Sequence, residues 1–237
     1  MESNGHTEGL YQPRRQPDIP FLFVDIETKA LKNASFYLPE VSAPANYKDP
    51  EKIAAYIAEK QEGLLEKAAL DVDLGSIVAI GYQRGLAGAA WASVVGDQKP
   101  DGSLVTEEEL LREFWAEARQ AEGLLCGYNL LAFDFPFILR RTMALGVTPT
   151  VVLDTRRYQV APIRDLMAIL FNWGSMTYRG MKWVAQRYDL EVLRPDLDGS
   201  KVKDMDVATI IEYALSDIHV LAQLYKLMDG IYWVRGR

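Results

Sequence analysis

The sequence is poor in the residues that most often announce chemistry. Of 237 residues, one is cysteine, Cys126, and two are histidine, His6 and His219. A single cysteine excludes an internal disulfide and fits a reducing cytoplasm, the expected compartment. Its expected role is that of a small buried apolar group. No apolar run approaches the length that spans a membrane, so no membrane partner is expected. The opening stretch "MESNGHTEGLYQPRRQPDIP" lacks the apolar core of a secretory signal, and residues 1–19 read as a disordered tail. Internal repeats and low-complexity tracts are missing too.

What is present is enough apolar content, 49%, for one sizeable core. The length suits a single domain over 20–230 with a helical insertion at about 30–75. The net charge of −7 argues against a strong non-specific nucleic-acid binder. The charge is uneven. Residues 40–125 hold 16 Asp/Glu and 8 Lys/Arg, whereas residues 139–203 hold 11 Lys/Arg and 6 Asp/Glu. Such asymmetry alone does not exceed an ordinary solvated surface.

Along the chain, residues 21–25 form a first strand. Asp49-Pro50 opens a helix near 50–70, with Asp as cap and Pro at the first helical position. "SIVAIGYQ" and "AAWASVVG" predict a hairpin across "RGLAG". Thr106 and Glu109 make a capping box ahead of a second helix. "GLLCGYN" is a short buried strand, "FPFILRRTMALG" a helix closed by Gly146, and "TVVLDT" a further strand. From about 163 onward the pattern is helical, and the last long helix spans roughly 206–228. The expected class is α/β, with a central mixed sheet flanked by helices.

Three acidic sites stand out. In "FLFVDIETKA" two carboxylates, Asp25 and Glu27, sit two apart and so share one strand face. A buried face does not tolerate two unpaired anions; either the strand ends there and both are solvated, or a cation holds them. In "GYNLLAFDFPFI" Asp134 is an N-cap candidate with Pro136 in the first turn. A cap Asp at the end of a central strand can also face the crevice where open α/β sheets bind ligands. In "IIEYALSDIHVL" Tyr213 and Asp217 are four apart on one helix face, beside the apolar stripe. A hydrogen bond at the edge of the core accounts for that pair as well. If the four carboxylates converge, they repel one another unless hard cations such as Mg²⁺ or Mn²⁺ neutralise them.

"DIET" (25–28), "YNLLAFDFP" (128–136) and "YALSD" (213–217) resemble, in order and separation, the three motifs of the DEDD superfamily of ribonuclease-H-like 3′–5′ exonucleases. The Tyr-x-x-x-Asp form of the third motif is similar to the tyrosine subclass, DEDDy. The nearest likeness is to stand-alone bacterial and phage exonucleases related to the proofreading domain of family-B DNA polymerases, over about residues 20–228. The histidine subclass needs a histidine five residues before the last Asp, where this chain has Glu212. His219 lies two beyond Asp217, about 200° round the helix, and points away.

The resemblance implies a ribonuclease-H-like fold and a metal-dependent 3′–5′ exonuclease with two Mg²⁺ or Mn²⁺ ions. By the same likeness, Asp25, Glu27 and Asp217 hold the ion that activates water, and Asp25 with Asp134 reaches the second. Tyr213 orients the water, since a phenol near its ordinary pKa of about 10 is a poor base. Nucleoside 5′-monophosphates leave. Thr28, Asn129 and Phe133 are the expected contacts to the terminal nucleotide, where an aromatic ring adds roughly 1–3 kcal/mol of stacking. Core packing accounts for Phe133 equally well. Arg140, Arg141, Arg156, Arg157 and Arg164 include residues that line the strand's path, with none singled out. Asp165 opens a helix and caps it; Trp173, Met181 and Trp183 read first as packing. The expected partner is the 3′ end of a single-stranded nucleic acid, DNA in preference to RNA. A ribonuclease on short RNA and a non-catalytic nucleic-acid-binding module stay open as alternatives.

Overall fold

The computed structural model describes residues 21–233; the tail expected over 1–19 lies outside them. β1 (Leu22–Ala30) is the middle of a five-stranded sheet of order β3-β2-β1-β4-β5. β2 (Gly75–Arg84) and β3 (Ala90–Val94) form the expected hairpin, with β2 antiparallel to β1. Gly85 turns it with φ 60°, a backbone open to glycine at no steric cost. β4 (Leu125–Gly127) and β5 (Ile163–Asp165) add on the other side, both parallel, because helices carry the chain back across the sheet.

Both faces of the first part of β1 are covered, which is why Leu22, Phe23 and Val24 read as one apolar run. Leu22, Val24 and Ile26 join the core beneath α2 (Glu107–Gln120) and α3 (Asp134–Ala144), with Phe114, Trp115, Phe135 and Ile138. Phe23 belongs to the opposite cluster, with Leu166 of α4 (Leu166–Leu170), Val184 of α5 (Met181–Arg187) and Ile218 of α6 (Val207–Met228). Cys126 is buried there, as expected.

The helix starts follow local chemistry. Asp49 accepts from the Glu51 N–H at 3.0 Å and Pro50 opens α1 (Pro50–Ala68). Thr106 and Glu109 exchange the two bonds of the capping box. Gly146, φ 65°, follows the end of α3.

Four expectations are corrected. β1 does not end at residue 25; antiparallel pairing to β2 carries it to Ala30, with a register shift between Glu27 and Thr28. "TVVLDT" is not a strand: Leu153 is buried in the core from a loop, with Val151 partly buried against it, and β5 takes the place beside β4. Residues 163–165 are therefore strand, not the start of a helical tract. Finally, α6 does reach the length and hydropathy of a membrane-crossing helix. Its apolar character has another use, since it lies across β1, β2 and β3.

Candidate metal centre

The alternation of β1 builds the site. Phe23, Asp25 and Glu27 share the face that meets α6. Phe23 fills the core, while Asp25 is half-buried and Glu27 keeps only 7% of its surface exposed. Asp25 lies opposite Gly81 in the β1–β2 ladder. A Cβ at Gly81 would sit 2.8 Å from Ile218 Cγ1 and 3.3 Å from the Ala214 carbonyl. The bare glycine lets α6 lie close to the strands, with Tyr213 and Asp217 turned toward the acids of β1.

Asp134 arrives from the other side. β4 pairs with β1 only at Leu22 and Phe23, so the ladder stops short of Ile26. The Ile26 N–H instead donates to Asp134 Oδ1 at 3.1 Å. Asp134 is thus the first residue of α3 and not its cap, which is Phe133 without a side-chain bond. That corrects the N-cap expectation: its carboxylate completes a bond of the sheet. The turn before it is pinned by Asp165, which accepts from the N–H groups of Asn129, Leu131 and Ala168 at 3.0 Å each. Asp165 does cap α4, and it also ties that helix to the Asp134 turn.

Asp25, Glu27 and Asp217 each offer a carboxylate oxygen, and these lie within 4.8 Å of one another. Burial pushes the Asp25 carboxyl well above its ordinary range, and the charges of Asp134, Asp217 and Glu27 add to this. Glu27 rises for the same reasons. Asp134 is pushed to about 8, chiefly by burial, with the Ile26 N–H pulling the other way. Asp217 rises to about 6 by burial, held down by the Tyr213 hydroxyl and by Lys182. Tyr213 is itself raised, by burial and then by Asp217, Glu27 and Asp25, so it stays a protonated donor.

Hard oxygen donors that crowd and repel are a donor set for a divalent cation. Among the described residues, Lys182 is the cation that lowers Asp217, and it does not neutralise the cluster. Lys182 is engaged by the Leu197 carbonyl and by Asp198. The acidic triad can therefore hold a metal ion.

The acids open into a cavity of about 1110 Å³. One wall is α1, through Glu62, Leu65 and Glu66; the other is the 3-10 turn Gly199–Asp204, through Lys201 and Lys203. A Lys203–Glu66 ion pair of 2.9 Å joins the walls. A Cβ at Gly199 would lie 3.2 Å from the Tyr213 hydroxyl, so that turn closes over the phenol.

Thr28 and Phe133 line the cavity. The Thr28 hydroxyl donates to the Ala69 carbonyl at 2.6 Å, and the Phe133 ring packs 5.0 Å from that of Phe137. Asn129 stands in the pinned turn, φ 68°, and does not line the cavity. His219 pairs with Glu191 at 3.1 Å, away from the acids. Sequence reasoning missed Gly81, Lys182 and both cavity walls. Only Gly81 carried a signal: an isolated glycine inside a strand pattern marks a close backbone approach.

No protein-family model matches the chain, and no curated protein does. Among solved structures it is similar to the family B DNA polymerase of the hyperthermophilic archaeon Pyrobaculum calidifontis. Identity is 18% and the TM-score 0.52, over 90% of this chain and 25% of that one. The chain spans a quarter of the polymerase's length, and a likeness at this identity speaks for the fold. That fold is α/β and ribonuclease-H-like, with a mixed five-stranded sheet flanked by helices.

Proposed function

We propose that the chain is a metal-dependent 3′–5′ exonuclease of the tyrosine DEDD subclass, acting on single-stranded ends, DNA in preference to RNA. The observation that carries this is the meeting of Asp25, Glu27 and Asp217 within 4.8 Å, with Asp134 bonded to the same strand. The motif resemblance and the polymerase-like fold support it.

Divalent cations held here would supply positive charge against a phosphate and lower the pKa of a water. Asp25, Glu27 and Asp217 would hold one, and Asp25 with Asp134 a second. Tyr213, kept protonated by its surroundings, donates a hydrogen bond and orients the attacking water. It does not take that water's proton. Water gives up a proton and adds to the terminal phosphorus, the bond to the neighbouring 3′ oxygen breaks, that oxygen takes up a proton to become the new 3′ hydroxyl, and a nucleoside 5′-monophosphate leaves. Thr28 and Phe133 flank the terminal nucleotide, and Asn129 acts from the turn that carries Phe133. Lys201 faces the phosphates from the wall opposite α1, where Lys203 is paired with Glu66.

The test is a gel assay with 5′-labelled single-stranded DNA, matching RNA and duplex, with Mg²⁺, Mn²⁺ or EDTA, beside Asp25→Ala. A metal-dependent ladder shortening from the 3′ end, absent in the variant, is expected. A folded protein that cleaves none of the three substrates overturns the reading.

A further inference from the structure

We infer that Arg157, Tyr158, Trp173, Tyr178, Arg179 and Trp183 form a surface track for single-stranded polynucleotide running away from the acidic cleft. The inference rests on the reading of that cleft as the site that holds a 3′ end.

Three observations converge on this surface. Residues 156–188 hold six Lys/Arg and one acid; Arg164 is buried, Arg156 pairs with Asp154 and Lys182 with Asp198, which leaves Arg157, Arg179 and Arg187 to this surface, in a chain of net charge −7. The one acid, Asp165, is buried and occupied with backbone N–H groups. Aromatic rings stand exposed among these cations: Tyr158 at 72%, Trp183 at 45% and Tyr178 at 40%. Trp183 is therefore not core packing, which corrects that expectation, whereas Trp173 and Met181 do pack against the core.

The side chains are neighbours. Arg157 lies 5.9 Å from the Tyr158 ring, and that ring 5.5 Å from Trp173. A Cβ at Gly174, the next residue, would meet the Tyr178 hydroxyl at 3.3 Å. Arg179 lies 5.4 Å over the Trp183 ring. Arg187, four residues beyond Trp183, continues the same helix face. Tyr158 and Trp173 have φ of 66° and 55°, a backbone that bulky residues adopt only at a cost.

The strip begins at the cleft. Tyr128 lines the cavity, and its hydroxyl donates to the Arg179 carbonyl. On the α1 wall Glu66 is paired with Lys203, whereas Glu62 repels phosphate and favours an exit on the arginine side. Exposed rings alternating with arginine match a strand whose bases stack on any aromatic face while its phosphates meet cations. DNA and RNA share that chemistry, so both are tested.

The experiment uses the full chain. In EDTA, where the proposed reaction is silent, anisotropy reports binding of labelled dT15 and rU15. Tyr158→Ala with Trp183→Ala should weaken at least one 15-mer about 30-fold, the equivalent of about 1 kcal/mol for each ring. Metal-dependent cleavage of dT3, too short to reach the strip, should be unchanged. Arg157→Gln with Arg187→Gln should shrink the salt slope of 15-mer binding by about 1.4. Both rings are exposed, and an unchanged melting temperature checks the fold. Unaltered 15-mer binding with dT3 still cleaved overturns the track and leaves the exonuclease reading standing; the strip would then be a protein-docking face. Weakened 15-mer binding in a protein that cleaves nothing supports the track and removes the exonuclease. Failure of the wild type to bind any 15-mer overturns the track.

Discussion

Asp25 lies opposite Gly81, and the missing side chain at Gly81 lets α6 come close enough for Asp217 to share a metal-sized space with Asp25. An acid and a glycine on neighbouring strands thus form one device. The glycine makes the room, and the acid uses it.

Gly81→Ala follows directly. The added Cβ would press on Ile218 at 2.8 Å and on the Ala214 carbonyl at 3.3 Å. Overpacking of this kind costs about 1–3 kcal/mol. Urea denaturation should show that loss, and Mn²⁺ titration a weaker site. Unchanged Mn²⁺ affinity would mean that α6 does not set the spacing of the acids.

The clustered carboxylates predict an inverted pH dependence for the metal-free protein. Asp25, Glu27, Asp134 and Asp217 have raised folded values, so the folded state binds more protons than the unfolded chain. Their contribution to stability therefore falls as pH rises from about 4, the unfolded value, through about 6 for Asp217 and about 8 for Asp134. Mn²⁺ should raise the melting temperature more at pH 8 than at pH 5, because it needs deprotonated ligands. Equal Mn²⁺ effects at the two pH values would argue against a shared cation site.

Asp134→Asn separates stability from function. Its amide oxygen can still accept the Ile26 N–H, while the charge is gone. At pH 8 without metal, the variant should melt about 2–4 °C higher, the shift that ~1 kcal/mol produces in a chain of this size. Nuclease activity should be lost. A lower melting point would show that repulsion is not what strains this site.

Asp165→Ala should be costly for a different reason. It strands three N–H groups, of Asn129, Leu131 and Ala168, each worth roughly 1–3 kcal/mol if left unsatisfied. A loss of about 3 kcal/mol or more is expected in urea denaturation. A loss below about 1 kcal/mol would mean that water replaces the carboxylate.

Tyr213→Phe keeps the ring and removes the donor. The proposed role in orienting water predicts a kcat lower by about 100-fold, with Mn²⁺ affinity preserved. Steady-state kinetics beside a metal titration reads both. A Mn²⁺ affinity that falls in parallel with kcat would instead make Tyr213 part of the metal's support.

By itself, the sequence determined what depends on near neighbours. Alternation put Asp25 and Glu27 on one face, helical spacing put Tyr213 beside Asp217, and Asp49 and Thr106 started their helices through bonds within three residues. Those are local periodicities and caps, so they read directly from residue order. Tertiary structure decided the rest. Val151 and Val152 are β-branched and Leu153 is apolar, enough for a strand, yet pairing is a contest between distant segments, and Ile163–Asp165 took the edge beside β4. Asp134 had the sequence of a cap, but Ile26, 108 residues away, needed an acceptor where β4 stops. Convergence of four like charges opposes folding unless the surrounding core holds them together. The packing of α6 on Gly81 and the bond from the Ile26 N–H to Asp134 contribute to that hold.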